Sequence, residues 1–214
     1  MHLATMAVLA LGPDWLNPET MLTNLGDWAF WAVLAIIFAE CGLLIGFFLP
    51  GDSLLFALGL FIASGQIDVP LWLAVLLLAV SAFAGDQTGY WIGRKLGPAV
   101  FNKPKSKLFH PKNVEAAHNF FERYGSRAVI LAHFVPIMRT FIPVSAGIAK
   151  LEWRKYTLFN LIGIVGWAVG ITLAGAALGS NAWVKANLEL VLIAFVLISF
   201  IPIALEVLRN WKKR

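Results

Sequence analysis

Five ionisable side chains stand inside otherwise apolar stretches of this 214-residue sequence: Glu40, Asp52, Asp86, His133 and Arg139. A charge at the centre of a bilayer costs about 2.5–3.5 kcal/mol on insertion scales, so each needs a partner, a proton or water. Such residues mark ion or substrate paths by default. Arginine suits an oxyanion, phosphate above all, because its guanidinium stays charged and presents a planar fork of donors. A carboxylate in low dielectric holds its proton more readily and can exchange it in a useful range. Glu40 and Asp52 lie on either side of Pro50-Gly51, and His133 and Arg139 on either side of Pro136. Chain broken around Pro50, Gly51 and Ser53 frees backbone N–H groups, which also bind oxyanions. Two uses follow from this pattern. Arg139 and His133 receive an anion while Glu40, Asp52 and Asp86 exchange protons, or the same groups form a buried ion-pair cluster that fastens two segments. For Asp86 the plainer use is a hydrogen-bonded packing residue.

The elements that must position these groups are set by composition. The sequence is 59% hydrophobic and only 14% charged, with a mean hydropathy of +0.77. Soluble domains carry about 25% charged residues, so this chain cannot cover a soluble surface. A soluble enzyme is excluded, and disorder with it, since disorder needs low hydrophobicity. Nine Trp and sixteen Phe suit lipid and its interfaces. A spanning helix needs about 20 apolar residues, and 71–93, 157–178 and 188–208 qualify. Two further stretches differ. Residues 28–64 are about two spans long and broken near the middle at Pro50-Gly51-Asp52-Ser53. Residues 128–149 are about one span long and interrupted by Pro136, Pro143 and Gly147.

Charge fixes the orientation. No Lys or Arg precedes Arg94, eight fall from Arg94 to Arg127, and four close the chain from Arg209. The net charge of +5 is therefore a positive-inside signal and not a nucleic-acid surface. It predicts a cytoplasmic basic loop over 94–127, carrying an amphipathic helix over 113–124 with an external counterpart near 17–27. With a cytoplasmic C-terminus, 128–149 must enter and leave by one face, as a re-entrant hairpin. Residues 28–64 form a second hairpin from the opposite face. Phe-x-Pro recurs at 48–50, 134–136 and 141–143, and glycines recur at 85, 89, 93 and 97 and at 166, 170, 175 and 179. Small residues so spaced let helices approach closely in lipid. The expected fold is thus an all-α integral membrane protein, a single membrane domain. It holds an inverted repeat of a re-entrant helical hairpin plus a transmembrane helix, and an extra C-terminal transmembrane helix. This plan is used by many transporters to place a site at midplane.

The remaining polar residues have plainer readings. Cys41 is alone, which excludes an intramolecular disulfide or a cysteine metal site. His110 and His118 lack a third ligand nearby, so no metal and no cofactor is expected. Arg94 reads as a snorkelling anchor and Asn160 as interhelical glue. The first eleven residues lack a cationic region and a clean cleavage site and do not read as a signal peptide.

Glu40 with FLPGDSLLF at 48–56, GDQTGYWIGRKLG at 85–97, FFERYGSRAVILAHFVPIMRTFIPVSAG at 120–147 and the stretch 156–160 together resemble the DedA family, the SNARE-associated or VTT-domain membrane proteins, and its bacterial members most. The resemblance covers roughly 25–210. It implies movement of lipids across the bilayer: recycling of undecaprenyl phosphate or flipping of phospholipid, dependent on the proton motive force. By position it carries the family's membrane acids onto Glu40 and Asp52 and an essential arginine onto Arg139. One departure stands out. The family pattern R-F-x-P-x-x-R-T opens with arginine, and this sequence has His133 there, which can lose its charge near physiological pH. The expectation is a proton-coupled lipid translocase of the bacterial inner membrane, multi-pass and not an enzyme. Its partners would be a lipid phosphate, protons and the membrane, with no nucleic acid and with a homo-oligomer left open. The alternative is a proton- or cation-coupled transporter of a small solute.

Overall fold

In a computed structural model of the protein, residues 24–43, 50–100 and 124–181 are described, with residues 22, 121, 122, 183, 184, 187 and 191 beside them. All their regular structure is helical. Helix α1 is Ala29–Gly42, α2 Gly51–Ser64, α3 Leu71–Val100, α4 Ala128–Ala132 and α5 Pro136–Ile148. Helix α6, Trp153–Ile164, continues through a π-helical turn at Val165–Val169 into α7, Gly170–Gly179.

Among the described residues, two helices are long and apolar enough to cross a membrane: Leu71–Lys95, of 25 residues, and Trp153–Gly179, of 27. At 1.5 Å per residue these reach roughly 38–40 Å against a core of about 30 Å. Only 28% and 39% of their most apolar windows are buried inside the protein, so Leu76, Val80, Leu158, Val165 and Leu173 point outward. Apolar surface in that amount requires an apolar surrounding. Both helices outrun the expected bounds of 71–93 and 157–178, because a helix continues past the hydrocarbon edge where its side chains remain compatible. The expected span at 188–208 lies outside the described residues apart from Val191, as do residues 101–120 of the basic loop and more than half of each amphipathic segment.

The two broken stretches differ in detail from the sequence reading. Pro50 caps α2, with its carbonyl accepting from Leu54 N–H at 2.9 Å. Gly51, Asp52 and Ser53 are then the first turn of α2. Helix α2 therefore begins directly after Pro50, since a proline favours a helix start. Helices α1 and α2 have 14 residues each, roughly 21 Å, too short for a span. In 128–149 only Pro136 interrupts. It sits at the first position of α5, and Val135 before it is extended (φ −121°, ψ 108°), as proline imposes on its predecessor. Pro143 and Gly147 lie inside α5. Pro143 deprives only the Arg139 carbonyl of a helical donor.

The chain forms two compact units. The first comprises 1–33, 50–74 and 171–214; the second comprises 34–49 and 75–170. Within the first, α2 meets α7 through glycines. A Cβ on Gly59 would strike the Thr172 carbonyl, one on Gly175 the Phe56 carbonyl, and one on Gly179 would lie 2.6 Å from the Leu60 carbonyl. Within the second, α3 meets α1 through Gly85 and Gly42, and α5 through Gly93 and Gly147. Tyr90 and Tyr156 stack there with ring centroids 4.6 Å apart. Tyr90 also donates to the Leu151 carbonyl at 2.6 Å and accepts from Arg94 at 2.6 Å. Arg94 is thus a clamp on the α5–α6 turn as well as a boundary residue.

Candidate functional site

Four of the five intramembrane groups meet inside the second unit, in two acid–base pairs. Glu40, in the last turn of α1, accepts a hydrogen bond and ion pair from Arg139 of α5. Asp86 of α3 faces His133, at the end of α4, with Oδ2 and Nε2 3.1 Å apart. All four side chains are buried. A buried pair has to be well partnered, because removing either half strands a charge in low dielectric.

Local structure explains each placement. The last turn of α4 tightens, so His133 N–H donates to Ile130 and not to Val129. The Val129 carbonyl is met instead by His133 Nδ1, at 2.8 Å. A carbonyl only accepts, so Nδ1 carries a hydrogen and the tautomer is fixed. Gly163 makes room for the ring: a Cβ there would overlap the imidazole. The extended Val135 and Pro136 then turn the chain, and Arg139 follows on α5.

Trp167 ties the two pairs together. The Arg139 guanidinium lies over its indole, 4.0 Å from the ring centroid, and the His133 ring is 6.3 Å away on a tilt. Trp167 lies in the π-helical turn, a bulge that re-aims side chains and recurs at functional sites. A desolvated cation–π contact is worth about 2 kcal/mol. Trp167→Leu is therefore expected to lower unfolding stability by about 2 kcal/mol or more, read from the denaturation midpoint, whereas Trp167→Phe should keep part of it.

Both ring nitrogens of His133 are engaged, leaving none to activate a hydroxyl or, in this arrangement, to contact phosphate directly. Asn160 stands beside Asp86, and Arg139 acts on that carboxyl through space. Pro50, Gly51, Asp52 and Ser53 belong to the first unit, in the cap and first turn of α2. Sequence reasoning missed Gly163 and Trp167, and it gave Asn160 only a packing role. A signal was present: Tyr156, Asn160, Gly163 and Trp167 recur at steps of four, three and four, one buried stripe on a helix. Among the described residues no group of three His, Cys, Asp or Glu could hold a metal. On the outer side of α3, Gln87, Thr88, Trp91, Ile92 and Lys95 line a groove of about 450 Å³.

Comparison with known proteins bears on this arrangement. Residues 49–177 match the VTT domain. The chain is 41% identical to an uncharacterised membrane protein of Mycobacterium tuberculosis, over 97% of this chain and 92% of the relative. It is 35% identical to the protein DedA of Escherichia coli, over 89% and 87% respectively. The inner membrane protein YqjA of E. coli is 32% identical over 85% and 81%. No solved structure matches the chain.

Proposed function

Because the chain belongs to the DedA family of VTT-domain membrane proteins, we propose that it translocates a lipid phosphate, undecaprenyl phosphate or a phospholipid, across the bacterial inner membrane. The observation that carries this reading is Arg139: a guanidinium buried in a membrane protein, held by Glu40 and by the face of Trp167. A permanently charged fork of donors in low dielectric is suited to a phosphate oxyanion. The headgroup passes against Arg139 while its tail stays in lipid. His133 adds positive charge beside it when protonated. In the first unit, Gly51 and Ser53 carry backbone N–H groups in the first turn of α2, which follows Pro50, and these also suit an oxyanion. Glu40, Asp52 and Asp86 take up and release the protons that couple the step. The groove beside Lys95 offers an exposed cation and apolar walls to a lipid on its way in.

The proposed frame is an inverted repeat of re-entrant hairpins within a multi-pass chain whose C-terminus is cytoplasmic. Two features support it. Helices α1, α2 and α5 are too short to span. The glycine contacts are also crossed: α2, from the first stretch, meets α7 of the second span, and α5, from the second stretch, meets α3 of the first. An exchange of that kind is what a pseudo-two-fold repeat produces. The planar donor fork of Arg139 suits a phosphate headgroup and is what favours this reading over the alternative, a proton- or cation-coupled transporter of a small solute.

The test is lipid-phosphate movement in proteoliposomes under a proton gradient. Arg139→Lys keeps a charge and loses the fork, and it should slow movement at least about tenfold. Movement at the wild-type rate would remove Arg139 as the phosphate ligand and the reading with it.

A further inference from the structure

The Asp86–His133 pair has a property that an ordinary salt bridge lacks. Since Nδ1 donates to Val129, Nε2 shares one proton with Asp86 Oδ2. Either an imidazolium faces a carboxylate or a neutral ring faces the acid, and the pair has no net charge in both cases. The second carboxyl oxygen, Oδ1, is buried without a hydrogen bond of good geometry. The neighbouring Asn160 amide is in the same condition at both its oxygen and its nitrogen. Asp86 and Asn160 have no exposed surface. Buried polar atoms left so are costly, and each calls for a reason, a bound proton, ion or water among them.

We propose that Asp86, His133 and Asn160 form a proton-binding site whose loaded state carries a second proton on Asp86 Oδ1, donated to the Asn160 side-chain oxygen. The arriving proton bonds to an Oδ1 lone pair and no heavy-atom bond breaks. His133 Nε2–H continues to donate to Oδ2, so loading adds a hydrogen bond without removing one. The pair goes from zero to +1. The groups facing it are Arg139, matched by Glu40, and Tyr156, whose hydroxyl donates to the Asp86 backbone carbonyl at 3.1 Å. Tyr90 and Cys41 flank Tyr156. None of these cancels the new charge, so the four paired groups rise from zero to +1 together. That charge draws an anionic headgroup to Arg139 and lets it go when the proton leaves. One proton then offsets one negative charge of the lipid phosphate. The use of the proton rests on the translocation reading; the site itself does not.

The experiment is difference infrared spectroscopy across an acid titration of the full-length protein in lipid nanodiscs, with ¹⁵N-histidine NMR on the same sample. A carboxylic-acid carbonyl band should grow on acidification and be lost in Asp86→Asn. In Asn160→Leu, which removes the acceptor, the band should move to higher frequency. His133 Nδ1, assigned by the signal missing in His133→Asn, should stay protonated throughout. An unchanged band in Asp86→Asn, an unmoved band in Asn160→Leu or a deprotonated Nδ1 would each overturn the proposal. If Asp86→Asn does not fold, Asn160→Leu and the Nδ1 signal decide. No lipid is transported in this measurement, so a failed flux assay leaves the site standing, and a failed site leaves flux standing.

Discussion

Arg139→Ala is expected to cost about 3–5 kcal/mol of unfolding stability, while Glu40→Gln/Arg139→Met together should recover most of that loss and still move no lipid phosphate. The single change strands the Glu40 carboxylate, which has been drawn out of water to meet Arg139. Removing both halves leaves neutral groups of similar volume, and buried pairs replaced in that way are often neutral or better. Denaturation in detergent for Glu40→Gln, Arg139→Met and the double closes the cycle, and a coupling energy of several kcal/mol is the expected sign of contact. The flux of the double variant separates the two uses of the pair. A double variant that folds and transports at the wild-type rate would make the pair a fastening and nothing more. A stable double variant without flux gives the pair a role in transport beyond fastening.

The second large effect is steric. Gly147→Val should destabilise the protein by about 3 kcal/mol or more. A Cβ on Gly147 overlaps the Tyr90 carbonyl and comes within 2.7 Å of the Arg94 nitrogen, all backbone of α3. Backbone in a packed helix cannot step aside, so the new methyl groups must push α5 off α3, and Arg139 lies on α5. Gly170→Ala is the control. Nothing lies within 4 Å of that Cβ position, and alanine should stabilise its helix by about 1 kcal/mol. Unfolding midpoints of the two variants should therefore move in opposite directions. Equal shifts would mean that glycine acts here through chain entropy and not through helix contact.

This contrast shows how far the sequence could be read. Glycines 166, 170, 175 and 179 look alike along the chain. In the fold Gly175 and Gly179 are contacts of α2, Gly166 faces the Phe134 ring, and Gly170 faces open space. Spacing locates a stripe of small residues, whereas the partner that makes each one necessary comes from elsewhere in the chain. The prolines behave similarly. Pro136 ends one helix and starts another because its neighbour is extended, while Pro143, with the same Phe-x-Pro flanks, is carried inside α5. Spacing puts Gly163 on a buried stripe but does not show its role, which is to leave a hole for a side chain thirty residues away, as its overlap with His133 demonstrates.

Sequence alone determined the membrane class, two of the spans and the identity of the buried ionisable groups. It could do so because hydrocarbon sets a length for helices and a cost for charge, and both are visible in one dimension. Only the tertiary structure decided which acid meets which base. Glu40 belongs with Arg139 across 99 residues and Asp86 with His133 across 47, and the carboxyl expected to exchange protons, or more plainly to pack, faces the histidine expected to hold phosphate. Pair energies fall off over a few ångströms, and distances of that kind between remote residues exist only once α1, α3, α4 and α5 have packed.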